Sequence, residues 1–125
     1  MLNGAWIFLS IGDAGGSQGW VGLDGVIGMA DANNHSIPNP DELEEAVSNL
    51  VAAGLVLTEG TRMRLTEAGD RVYGEANERP VGHITRMFEL GDSWRARDYP
   101  KQVPKSWSLD EQTWRQAVDA YLRGS

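Results

Sequence analysis

The sequence predicts a mainly α-helical protein with one small β-hairpin, an α+β chain in which helix dominates. Three observations carry this. Apolar residues recur at helical spacing over several separate stretches, as in Leu23, Val26, Ile27 and Ala30. Strong helix-start signals stand at Asn39-Pro40-Asp41-Glu42 and near Ser108. Strand-type alternation around a turn is confined to Leu55–Leu65, with Glu59-Gly60 at its centre.

The elements follow in order. Asn3 can cap a first helix from about Gly4 to Gly12, apolar nearly all round and so expected to be buried in a core or an interface. Asp13-Ala14-Gly15-Gly16-Ser17-Gln18-Gly19 reads as a flexible loop, and Trp20-Val21 as a short extended piece. Leu23, Val26, Ile27 and Ala30 mark the inner face of a second helix. Gly25 and Gly28 lie off that stripe and suggest close approach by another backbone. Asn33-Asn34-His35-Ser36-Ile37-Pro38 ends it. Asn39 then caps a third helix with Pro40 at its first position, and Glu42 is placed to close a capping box. Asp41 and Glu42 also suit the positive end of the helix dipole. Leu43, Ala46, Val47, Leu50 and Val51 form its buried stripe, and Gly54 is its left-handed terminal residue. In the hairpin, Thr61, Met63 and Leu65 alternate with Arg62 and Arg64. Thr66 caps a fourth helix, about Glu67 to Asn77, with Ala68, Val72 and Ala76 inward. Val81–Leu90 fits either a helix or a strand, with helix preferred. Ser108-Leu109-Asp110-Glu111 reads as a capping box that opens a last helix with Trp114, Ala117, Val118, Tyr121 and Leu122 on its apolar face.

A length of 125 residues fits one domain, and 41% hydrophobic with 23% charged residues is ordinary globular composition. With no cysteine, there is no disulfide framework, zinc–thiolate site or thiol nucleophile. No apolar run approaches the ~18–20 residues of a membrane span. Ala5–Ile11 resembles a short signal-peptide core, but no Lys or Arg precedes it, so the expectation is a buried helix in a cytoplasmic protein. Charge is distributed unevenly. Residues 1–61 hold eight acids and no Lys or Arg; residues 62–125 hold all 11 bases and the other ten acids, so the two parts carry −8 and +1.

The order helix, short strand, helix, turn, helix, hairpin, helix resembles a winged helix-turn-helix domain. The residues that carry the resemblance are Leu43 to Val56, an L-x-x-A-x-x-x-L-x-x-x-G-L-V helix end, and the wing that closes on Arg64-Leu65-Thr66-Glu67-Ala68-Gly69. Trp20-Val21-Gly22-Leu23-Asp24 and Asn34-His35-Ser36-Ile37-Pro38 are similar to stretches of small, regulator-like bacterial winged-helix proteins. The resemblance covers about residues 4–78. It implies a winged-helix domain over 1–78 and leaves 79–125 as a C-terminal extension that packs on it, ending in an amphipathic helix.

A winged helix of the DNA-binding kind lays its third helix in the major groove. Here the outward positions of that helix are read as Asp41, Glu42, Glu45, Ser48, Asn49 and Ala52, with Glu44 at the margin. Four acids and no base would face a polyanion whose affinity comes from Lys and Arg. The expected function is therefore a non-enzymatic regulatory module that meets a basic protein surface through Asp41, Glu42, Glu45, Ser48 and Asn49. The alternative is a DNA-binding transcriptional regulator that uses the wing arginines Arg62 and Arg64, joined by Arg95 and Arg97. Residues 94–107 interleave Trp94, Arg95, Arg97, Tyr99, Lys101, Lys105 and Trp107 with the single acid Asp98. Such a stretch can stack on single strands, but with an acidic half nearby it is expected to pack across that half, in the same molecule or a second subunit. Trp6, Ile7, Phe8 and the Trp114/Tyr121 stripe are candidate homodimer surfaces.

No catalytic set emerges. Asp31 and His35 are four apart, but the helix is expected to end before His35, and two ligands fall short of a metal site. His83 has no evident partner. Gly15-Gly16-Ser17-Gln18-Gly19 lacks the G-K-[ST] ending of a phosphate loop, and Gly91-Asp92-Ser93 has no histidine after it for a triad. No cofactor, metal or membrane partner is expected.

Overall fold

The structure, a computed structural model, describes residues 2–97 and 103–124. Among them are helices α1 (Leu2–Ile11), α2 (Leu23–Asn34), α3 (Pro40–Ala52), α4 (Glu67–Asn77), α5 (His83–Ala96) and α6 (Glu111–Leu122). Strands β1 (Val56–Glu59) and β2 (Arg62–Leu65) form an antiparallel hairpin, with Val56 opposite Leu65 and Glu59 opposite Arg62. The protein is mainly α with one small hairpin. Val21 pairs with Met63, so the extended piece before α2 becomes a third rung beside the hairpin. The layout is compatible with a winged helix. No helix is long and apolar enough to cross a membrane among the described residues.

Helix α1 is the centre. Ala5, Trp6, Ile7, Phe8, Leu9 and Ile11 are all buried, and α2, α3 and α5 each pack against it. Trp6 donates its indole N–H to the Ala30 carbonyl at 2.9 Å, which fixes α1 to α2. Phe8 meets the rings of Tyr73 and Trp94 edge-on at 6.4 and 5.3 Å, tying it to α4 and α5. The segment expected to be a loop after α1 instead winds on as one wide π-type turn, Gly12–Gly16. Glycine makes this close fit available. A Cβ on Gly12 would lie 2.3 Å from the Tyr73 ring, and Gly15 sits at φ 111°. The turn also aims Asp13 inward, where it accepts from Asn33 Nδ2 at 2.9 Å and from the Tyr73 hydroxyl at 2.5 Å.

Helix α2 ends as expected, with His35 in the left-handed conformation at φ 52° and its N–H on the Asp31 carbonyl. Gly28 does make room for a neighbour, but it is the Tyr121 ring, not a backbone; Gly25 meets nothing closer than Ala14 at 4.0 Å. Asn39 and Glu42 form the capping box of α3. The Leu65-Thr66-x-x-Gly69 sequence has a clear cause. Thr66 accepts from the Gly69 N–H to cap α4 and donates to the Gly54 carbonyl at 2.6 Å. Gly69 then lies so close to the Leu55 carbonyl oxygen that a Cβ would sit 2.2 Å from it.

Helix α6 begins two residues later than the Ser108 capping box would place it. Asp110 is the cap and accepts from Thr113 N–H at 2.7 Å. The Leu109 N–H is taken by Glu44 and the Leu109 side chain is buried, so the chain stays non-helical to that point. Trp114, Ala117, Val118 and Tyr121 pack on the core, whereas Leu122 is exposed. The proposed dimer surfaces are thus used within one chain. Trp6, Ile7 and Phe8 are in the core, Trp114 donates to the Pro38 carbonyl, and the Tyr121 hydroxyl donates to Asp31 at 2.6 Å.

Burial, aided by the hydrogen bond to Asp13, pushes the Tyr73 phenol up to about 12 from an ordinary 10.0. A group whose folded value is raised contributes fully below its unfolded value and loses that contribution as pH rises through the folded one. Stability should therefore fall between about pH 10 and 12. In Tyr73→Phe that alkaline loss should be smaller, as read by melts across the interval.

Candidate functional site

The candidate site is the outer side of α3, where a DNA-binding winged helix would meet its target. An irregular strap, residues 103–109, bent at Trp107, lies along it. Ser48 is the main anchor. Its Oγ accepts from the backbone N–H groups of Ser106 and Trp107 at 3.1 and 3.2 Å and donates to the Trp107 carbonyl at 3.4 Å. Asn49 Oδ1 accepts from the Val103 N–H at 3.2 Å, while its Nδ2 is buried without a partner. Glu44 accepts from the Leu109 N–H at 2.7 Å and from Lys105 Nζ at 3.0 Å. Trp107 is buried and reaches across to the hairpin turn, where its indole N–H donates to the Gly60 carbonyl at 2.9 Å. Leu109 is buried as well, with Ser108 exposed between them.

This corrects the placement of two predicted site residues. Ser48 and Asn49 are each 1% exposed, not outward. Two short polar side chains can point into a covered face because the strap supplies the backbone groups that satisfy them. The acids differ among themselves. The Asp41 side chain is 91% exposed, 3.9 Å from Lys105. Glu42 is half-buried and occupied with its own cap, accepting from the Asn39 N–H at 3.0 Å. Glu45 is half-buried, and the Glu44 side chain is only 14% exposed.

No family model, no curated protein and no solved structure matches the chain. The geometry alone must therefore speak for the site.

The arginines fall into two groups on different elements. Arg62 and Arg64, on β2, both lie over the Trp20 ring, 5.5 and 5.8 Å from its centroid. Arg62 also pairs with Glu59. Trp20 is 37% exposed, and sequence reasoning missed its part in this cluster; the Val21–Met63 pairing puts it there. Arg95 and Arg97 stand at the end of α5, which packs chiefly on α1. Arg95 pairs with Asp92 at 2.6 Å. Arg97 borders a cleft of about 620 Å³ between α4 and α5, where Arg79 pairs with Glu89 at 2.6 Å and Arg86 donates to the carbonyls of Ala76, Arg79 and Val81. Of the basic stretch, Trp94 is in the core and Lys105 lies on the acids of α3; Asp98, Tyr99 and Lys101 lie outside the described residues. No three His, Asp or Glu form a group able to hold a metal among the described residues.

The strap is held partly by charge. The Leu109 N–H, then the Lys105 ammonium, keeps the Glu44 carboxyl below its ordinary 4.5, and Lys105 is raised in return. A depressed carboxyl stabilises the fold above its unfolded value, and the effect is lost as pH falls through the folded one. Acidification below about pH 4.5 should therefore destabilise the wild type more than Glu44→Gln, as seen in urea unfolding at stepped pH. Ser48→Ala leaves two N–H groups of the strap without an acceptor. It should cost about 1–3 kcal/mol at neutral pH in the same measurement.

Proposed function

We propose that the chain is a non-enzymatic winged-helix module, regulatory in role, that meets another protein through the acidic side of its third helix. The observation that carries this reading is the strap. The face of α3 that would enter a major groove is already covered by residues 103–109, with Ser48 and Asn49 beneath them. Asp41 and Glu45 flank the covered strip, and carboxylates repel duplex phosphate. Charge and shape both weigh against DNA on this helix, and the exposed Asp41 beside Glu44 and Glu45 supports a basic protein surface as the partner.

One observation favours a second reading, DNA binding through the wing. Arg64 meets no carboxylate within 4.0 Å among the described residues, and with Arg62 and the half-open Trp20 ring it forms a small cationic, aromatic patch. Two wing arginines are few against the ~6–10 phosphate contacts of a strongly salt-dependent binder.

Titration with generic duplex DNA at low and then moderate salt separates the two. The expected result is no binding at low salt. Tight binding that weakens steeply with salt, and that Arg62→Ala with Arg64→Ala abolishes, would overturn the protein-binding reading.

A further inference from the structure

We infer that the strip between α3 and the hairpin turn is a peptide-docking groove, and that residues 103–109 occupy it as an internal stand-in for a non-helical segment of a partner protein. This rests on the reading of α3 as a protein-facing helix and names the chemistry of what it takes.

The groove treats the strap as a bound peptide. Ser48, Asn49 and Glu44 between them accept four backbone N–H groups, from Val103, Ser106, Trp107 and Leu109. Those contacts read main chain, so they do not depend on which side chains the segment carries. Specificity comes from two apolar anchors on either side of an exposed residue: Trp107, at the bend, and Leu109 are buried, and Ser108 between them is exposed. A cation two residues before the aromatic anchor meets Glu44 and Asp41. The fitting ligand is therefore a non-helical segment, bent at its aromatic residue, of the pattern basic, any, aromatic, any, aliphatic.

The strap does not use everything that the groove offers. Asn49 is 1% exposed and its Oδ1 is committed to Val103, which leaves Nδ2 buried with no hydrogen-bond partner. An unmet buried donor is costly. A segment that brings an acceptor to that amide makes one bond more than the strap, so a partner can displace it. The acids Asp41, Glu44 and Glu45 favour a basic segment over an acidic one.

The test uses the full chain with the anchors removed, Trp107→Ala with Leu109→Ala, and a fluorescent synthetic peptide of residues 103–110. The peptide should bind this variant saturably. It should bind the wild type at least about tenfold more weakly, because the tethered strap competes at high effective concentration. Adding Ser48→Val should remove the binding. If the double variant does not fold cooperatively, Lys105→Glu serves instead, since that side chain is 53% exposed and its reversal loosens the strap without opening the core. The peptide should then bind Lys105→Glu more tightly than it binds the wild type. Absence of saturable binding to a folded variant overturns the inference; with DNA also unbound, it leaves the broader protein-interaction reading standing. A concentration-dependent dimer of Lys105→Glu with exchanged straps would give the groove to a second copy and overturn the partner assignment.

Discussion

Beyond Asn3 in its first turn, helix α1 carries one polar side chain, Ser10, and that hydroxyl donates back to the Trp6 carbonyl at 2.8 Å. A helix apolar all round cannot lie on a surface; it must be covered from every side. The remaining elements meet that demand in turn. The second helix takes the Trp6 side, the third takes the opposite contact, and the hairpin closes one end through Met63 and Leu65. A three-helix unit with a wing leaves one flank of Phe8 open. Trp94 on α5 fills it and is fully buried. The C-terminal extension is thus part of the core that the first helix requires.

The same economy explains the strap. After α5 the chain must reach α6, which packs on α2 around Gly28 and caps the Pro38 turn through Trp114. Residues 103–109 make part of that journey across α3. Non-helical chain crossing a helix exposes N–H groups that need acceptors. A standard amphipathic helix would offer none on an apolar strip. The third helix offers a hydroxyl, an amide oxygen and a carboxylate along one flank, and each takes a strap N–H. Ser48 and Asn49 are polar because they are docking atoms for backbone.

This accounts for what could and could not be read in the sequence. Elements made by local rules were legible: the Asn39–Glu42 box, the Gly54 stop, the Gly60 turn and the Thr66 cap depend on residues within a few positions of one another. The π-type turn after α1 was missed because what holds it is distant, with Tyr73 closing over Gly12 and Asp13. The start of α6 was misplaced for a similar reason: Glu44, 65 residues away, claims the Leu109 N–H. At the candidate site, helical periodicity set Ser48 and Asn49 opposite the apolar stripe, which is where they are. Periodicity cannot say that another segment of the chain will cover that side. One signal was available. Trp107 and Leu109 alternate with polar residues just after Pro104, the pattern of an extended piece with one buried face.

The charge asymmetry takes on a specific meaning in this setting. Most arginine pairs are local and exposed, such as Arg71 with Glu67 and Arg115 with Glu111, and such pairs contribute little. Lys105 is different, since it crosses from the C-terminal part of the chain to Glu44, 61 residues away, and to Asp41. The proposal that α3 does not read DNA therefore has two separate supports. One is steric, the strap itself. The other is electrostatic, and it grows if the first is lifted: taking the strap away uncovers Glu44 beside Asp41 and Glu45 and removes the cation that offsets them. The strap covers hydrogen-bond acceptors and a carboxylate, groups that here hold main-chain N–H and a lysine.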